Sequence, residues 1–299
     1  MTSNITNQDS HVYEFLTNQI NPKGIIHISH GMAEHILRYK WLIHRFNADG
    51  YHVIAKDHRG HGLCIGSKGL KGLFSDKDGW NKVVSDLEEV IVNSRNKFPD
   101  LDQFLIGHSM GSWVALSLMA KGISVKGLVL SGSSKVPSFI INAQKLIINM
   151  QIIFFGKNSV SKLLDSLTMR SYNKSFAPNR TQSDWITSDR DSVDNYVEDP
   201  LCGFMVTNKL WYDLADGMKS VFNKNNYDNS FKQTPIFIIS GDKDPVGENG
   251  KGVRRLFSFL LDIFPNSSMS LIRGARHEVF SEMNKELSYG EVKHFIESI

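Results

Sequence analysis

Six short apolar runs recur along the chain, separated by segments of helical length. They are GIIHIS (24–29), YHVIAK (51–56), QFLIG (103–107), GLVLS (127–131), PIFIIS (235–240) and SMSLI (268–272). Their apolar positions are nearly continuous. That pattern suits strands covered on both faces, as in a parallel sheet. VYEFL (12–16) predicts one more strand, antiparallel and at the edge. Between the runs, helices are expected over 36–48, 78–96, 110–120, 247–264 and 285–299. Gly50, Pro99, Gly122 and Pro265 stand at or near four of their ends as stop signals. Strand–helix–strand alternation implies right-handed crossovers and an open α/β sheet.

The alternation lapses once. Residues 133–233 carry no strand signal. They hold an apolar helical stretch, FIINAQKLIINMQIIFF (139–155), and then a polar, aromatic-dotted stretch (169–227). Such a segment between two strands predicts an inserted helical subdomain. Residues 1–132 and 234–299 would then form the α/β core. Asn142, Gln144, Lys145, Asn149 and Gln151 interrupt the apolar stretch, which argues against a membrane span.

Composition narrows the function classes. The 299 residues are 41% hydrophobic and 22% charged, an ordinary globular balance. Lys and Arg total 34 against 31 Asp and Glu, giving +3 with no like-charge run. Neither nucleic acid nor a polybasic membrane contact is indicated. Cys64 and Cys202, the only cysteines, frame neither a zinc site nor a disulfide scaffold and are expected as reduced thiols. The first ten residues, MTSNITNQDS, lack the apolar core of a leader, so a cytoplasmic protein is expected.

The chemistry centres on Gly107-His108-Ser109-Met110-Gly111, a G-x-S-x-G between an expected strand and an expected helix. That context marks a nucleophile elbow. The turn is so tight that the positions two before and two after the serine must be small, and Gly107 and Gly111 fill them. It lifts the Ser109 hydroxyl clear of the sheet, at the head of a helix whose dipole favours negative charge. A serine needs a base, and the base an orienting acid. Both stand in loops after later strands, where open α/β sheets bind ligands. GDKDPVG (241–247) offers Asp242 and Asp244. Asp244 is favoured because Pro245 fixes the turn behind it, and Asp242 reads as a surface turn residue. RGARHE (273–278) offers His277, whereas His294 falls in the terminal helix and reads as a surface residue. Backbone N–H groups of Met110 and of Met32, in the loop after 24–29, are the expected oxyanion donors. His30, His35, His58 and His61 lack standard metal-ligand spacing, so no catalytic metal is expected.

Six segments together resemble one known family. HGMAEHILRY (30–39), DHRGHG (57–62), GHSMG (107–111), DPLCGF (199–204), GDKDPVG (241–247) and RHEVFSE (276–282) are similar to the monoacylglycerol lipase and lysophospholipase group of α/β-hydrolases, also labelled serine aminopeptidase S33-like. The resemblance implies the α/β-hydrolase fold: a mostly parallel sheet flanked by helices, with 133–233 as a helical cap over the acyl site. It implies Ser109, Asp244 and His277 as the catalytic triad, Met32 and Met110 at the oxyanion, and no metal or cofactor. Glu34 and Arg38 correspond to polar groups near the glycerol pocket, although a buried ion pair that braces the loop is favoured over direct contact. Phe280 stands where the glyceride enzymes carry a second histidine. The Asp57–Gly62 segment is expected to brace the loops. The expected activity is hydrolysis of carboxylic esters with medium or long acyl chains through an acyl-enzyme. Alternatives are a small-ester carboxylesterase, an acyltransferase or amide hydrolase using the same triad, and, least, a non-catalytic binding protein. The many apolar residues of 139–155 could also leave a face that touches lipid aggregates.

Overall fold

The computed structural model describes residues 4–5, 11–65, 70–227 and 231–299. Of the N-terminal ten residues, only Asn4 and Ile5 are among them. Eight strands are present among the described residues: β1 (Asn4–Ile5), β2 (Val12–Phe15), β3 (Gly24–Ser29), β4 (Tyr51–Lys56), β5 (Gln103–His108), β6 (Gly127–Ser131), β7 (Ile236–Gly241) and β8 (Ser267–Ile272). They form one sheet in the order β1-β2-β4-β3-β5-β6-β7-β8. β2 runs antiparallel to β4, and every pair from β4 to β8 is parallel. The antiparallel strand is not quite at the edge, because β1 pairs outside it. This is the α/β-hydrolase fold.

The apolar runs are continuous because both sheet faces are covered. Along β5, Leu105 packs to one side and Phe104 and Ile106 to the other. In β7, Ile236 and Ile238 oppose Phe237 and Ile239. Successive side chains of a strand alternate faces, so such a strand must be apolar throughout. Helices α1 (Lys40–Ala48) and α10 (Lys285–Glu297) cover one face through residues such as Phe46 and Tyr289. Helices α2 (Gly79–Lys97), α3 (Met110–Ala120) and α9 (Lys251–Leu261) cover the other.

Two helices start later than their apolar pattern suggests. Ile36–Tyr39 is a 3₁₀ turn, with the Ile36 N–H donated to Asp57 (2.8 Å), and the α-helix begins at Lys40. Glu248, Asn249 and Gly250 all have positive φ, so α9 begins at Lys251 and not at 247.

Between β6 and β7 lie α4 (Ser138–Phe155), α5 (Lys162–Leu167), α6 (Met169–Lys174), α7 (Arg190–Glu198) and α8 (Asn208–Val221). The described residues of this stretch form no sheet strand, only one isolated bridge, Val160 with Thr207. α8 packs on α2 and α3 of the body and also carries α4. The Lys145–Asp216 ion pair ties α4 to it. The interrupted apolar stretch is thus one helix of 18 residues, long and apolar enough to cross a membrane by length and composition alone. Only Ile141 and Ile148 of it are fully buried.

Strand order decides where a site can form. The chain leaves β3 for β4 on one side and returns to β5 on the other. The loops after β3 and β5 therefore part at a switch point above their carboxyl ends. The first holds Met32, and the second is Ser109.

Candidate active site

Ser109 joins β5 to α3 without an intervening residue. Its backbone sits at φ 51°, ψ −122°, a strained conformation for a residue with a side chain. The turn is held by Ser109 N–H donating to the Ser131 carbonyl (2.9 Å). Neighbouring backbone explains both glycines. A Cβ at Gly111 would drive into the carbonyl oxygens of Ser29 and His30, and one at Gly107 would lie 2.7 Å from Cα of Ser112.

The turn after β7 brings Asp244 to His277, which lies in the loop after β8. His277 Nδ1 is 3.0 and 3.1 Å from the two Asp244 oxygens. Asp244 also accepts the Val246 N–H (2.9 Å) and the Ser240 hydroxyl (3.1 Å), and it is fully buried. Asp242 instead caps the β8 turn by accepting the Gly274 N–H (2.8 Å). His294 is exposed. Burial works to lower the basicity of His277. The Asp244 charge and hydrogen bond, with Glu278 and Glu34 beyond, outweigh it and raise its pKa above the ordinary 6.5. The ring of Trp185 lies 5.0 Å from the imidazole and that of His108 4.8 Å. Burial, and then the neighbouring His277, push His108 down to about 4, so it is neutral.

Ser109, His277, Met32 and Met110 all line one cavity of about 200 Å³. Its walls continue into the inserted helices with Ile147, Leu164, Leu214 and Met218, and become polar at Gln144 and Arg170. No hydrogen bond joins Ser109 Oγ to His277 among the described residues. Such bonds are commonly long until substrate arrives.

Of Glu34, Arg38 and Phe280, the positions compared with head-group residues of the family, only Glu34 lines the main cavity. Arg38 makes a bidentate pair with Glu278 (2.7 and 2.8 Å) and a third bond to Glu34 (2.6 Å). Glu34 also accepts the Gly31 N–H and the Tyr39 hydroxyl. Burial opposes the Glu34 charge, yet Arg38, His108 and these donors hold its pKa below the ordinary value. Glu34 reaches the main cavity. With Arg38 and Phe280, which do not line that cavity, it also lines a second pocket of about 20 Å³. Glu278, Tyr39 and Trp185 escaped sequence reasoning. Glu278 stands beside His277 in the chain, but its partner Arg38 is 240 residues away.

The histidines near the β3 loop are used structurally. His30 faces the Gly31 carbonyl (2.7 Å) and accepts the His58 N–H (2.9 Å), while His61 faces the Arg59 carbonyl (2.9 Å). Asp57 takes Tyr13, Ile36 and Leu63 at 2.8 Å each, joining strand, turn and loop.

The sequence matches the family described as serine aminopeptidase, S33, over residues 20–284. The chain belongs to this family. Among the relatives of this S33-family protein is a monoacylglycerol lipase of Mycolicibacterium smegmatis, 27% identical, with 96% of this chain and 92% of that one covered. A phospholipase of Bacillus subtilis is 24% identical over 89% of this chain and 92% of its own. The solved structure of a thermostable carboxyl esterase from Bacillus coagulans, in complex with glycerol, superposes with a TM-score of 0.86. It is 27% identical and covers 96% of this chain and 93% of that one.

Proposed function

We propose that this S33-family protein is a serine hydrolase of lipid carboxylic esters with medium or long acyl chains. One observation carries the reading. A strained serine at a strand–helix turn shares an apolar cavity with an imidazole whose far nitrogen is held by a buried carboxylate. Relatives named monoacylglycerol lipase and phospholipase support the substrate class. Ser109 attacks the acyl carbonyl while His277 takes its proton. Asp244 keeps the imidazole in the right tautomer and stabilises its cationic form. The N–H groups of Met32 and Met110 receive the oxyanion. The alcohol leaves with the proton from His277, and a water deprotonated by His277 then opens the acyl-enzyme.

Residues 133–233 act as the cap, with the acyl chain running between α3 and α4. Phe139, Ile153 and Phe154 on α4 are 73%, 77% and 71% exposed, and Leu163 and Leu167 on α5 are also exposed. An apolar face of this kind, next to the cavity helices, suits transient contact with a lipid surface. Glu34 and Arg38 serve by holding the loop that carries Met32. They are already saturated by each other, Glu278, Tyr39 and Gly31.

The test is hydrolysis across esters of increasing acyl length, with monoacylglycerol and lysophosphatidylcholine of one chain length beside them. Ser109→Ala serves as the blank. A long-chain optimum, lost in the variant by about four orders of magnitude or more, is expected. Turnover retained in Ser109→Ala sinks the triad, and activity confined to the shortest esters sinks the lipid reading.

A further inference from the structure

Three side chains with metal-binding atoms meet where the β3 loop touches the inserted helices. His35 closes the loop, and Asp199 and Cys202 lie in the turn after α7. One ligand atom from each lies within 4.8 Å of the other two. His35 and Asp199 are 164 residues apart in sequence, and His35 Nε2 is 2.8 Å from Asp199 Oδ2. The turn is fixed on all sides. Cys202 N–H donates to the Asp199 carbonyl (3.0 Å), Leu201 N–H to Asp199 Oδ1 (2.8 Å) and Gly203 N–H to the Ala33 carbonyl (2.9 Å). Lys71 Nζ holds the Pro200 carbonyl (2.8 Å). Cys202 is buried, and its charged neighbours are Arg38, Glu34, Asp199 and Glu278.

We propose that His35, Asp199 and Cys202 form a binding site for a borderline-soft divalent cation of the Zn²⁺ type. An imidazole, a carboxylate and a thiolate are the donor set such ions take, with water as the fourth ligand. Histidine Nε2, one Asp199 oxygen and Cys202 Sγ each form a bond to the ion. The Cys202 thiol proton goes to solvent. The proton that His35 Nε2 donates to Asp199 is released to solvent as the ion takes its place, Nδ1 takes up one from solvent so that the ring stays neutral, and no electrons are transferred. The site lies outside the triad and ties the loop carrying Met32 to the segment after α7.

The experiment uses the full chain and Co²⁺ as a spectroscopic probe. Saturable binding of one equivalent is expected, with a near-ultraviolet thiolate-to-cobalt band that Zn²⁺ displaces. Cys202→Ser should lose the band. His35→Gln, which keeps an amide donor facing Asp199, should weaken Zn²⁺ binding by about tenfold or more. Cys64→Ser should leave both unchanged. Circular dichroism establishes that each variant is folded. Should Cys202→Ser not fold, the His35→Gln titration decides alone. A band that persists without Cys202 or disappears without Cys64, unaltered Zn²⁺ affinity in His35→Gln, or no one-to-one binding at micromolar metal overturns the proposal.

Discussion

His277 lies under two opposed influences, burial that disfavours its cation and the Asp244 carboxylate that favours it. The carboxylate prevails, so the folded pKa is above 6.5. The imidazole can accept a proton only when neutral, and kcat/KM should therefore rise with pH through a midpoint above 6.5. Asp244→Asn should move that midpoint down and lower kcat/KM by about 10⁴-fold. A pH–rate profile with short soluble esters, read on wild type and variant, checks both. An unmoved midpoint would mean that another group sets the limb. Ser109, Asp244 and His277 were legible in sequence because each announces itself locally. Ser109 has flanking glycines, Asp244 has Pro245 behind it, and His277 follows an apolar run. Glu278 was not legible, although it sits next to His277. Its meaning lies entirely in Arg38, which no spacing rule connects to it.

At the level of elements, that ion network joins the β3 loop to the β8 loop. Arg38 bridges Glu34 and Glu278, and Glu278 N–H also bonds the Ile186 carbonyl (2.7 Å) in the inserted stretch. Removing one member of a buried pair leaves an uncompensated charge. Arg38→Met should thus destabilise the fold by about 3 kcal/mol and misplace the Met32 N–H. Chemical denaturation measures the first effect, and a fall in kcat exceeding any change in KM reports the second. The exposed face of α4 predicts a different separation. Ile153→Glu with Phe154→Glu should reduce co-sedimentation with lipid vesicles and leave short-ester turnover within about twofold, since such surface changes rarely disturb stability. Equal loss of both activities would mean that this face packs against the body. Helix 36–48 was legible as an element but not in its start. The pattern of apolar positions records which face is buried, whereas the 3₁₀ turn at Ile36–Tyr39 reflects a single hydrogen bond to Asp57. The three left-handed residues before α9 were hidden for a like reason, since Glu248 and Asn249 carry no glycine signal.

Across the whole molecule, six histidines among the described residues are buried with lowered pKa: His27, His30, His52, His58, His61 and His108. Burial is the first cause in each. Unfolded, each protonates near 6.5, whereas folded His27 and His108 resist until about 4. The unfolded chain binds more protons in that interval, so stability is intact above 6.5 and falls as pH drops towards 4. Each such group contributes on the order of 1.4 kcal/mol per pH unit inside the window. Urea midpoints at pH 7.5 and 5.0 should differ clearly, and equal midpoints would contradict the burial of these rings. The sheet order has a consequence of another kind. β6 and β7 are adjacent and parallel, with Leu128 opposite Ile236 and Ser131 opposite Ile239, so the chain leaves at the carboxyl end of β6 and must cross to the amino end of β7, a crossing made by α8 where it packs on α2 and α3. Only α8 has to span the sheet, and the residues between β6 and α8 are an overgrown loop whose length the sheet does not constrain. Changes between β6 and α8 would therefore reshape the cavity wall that Ile147 and Leu164 supply without touching the sheet loops that carry Ser109, Asp244 and His277.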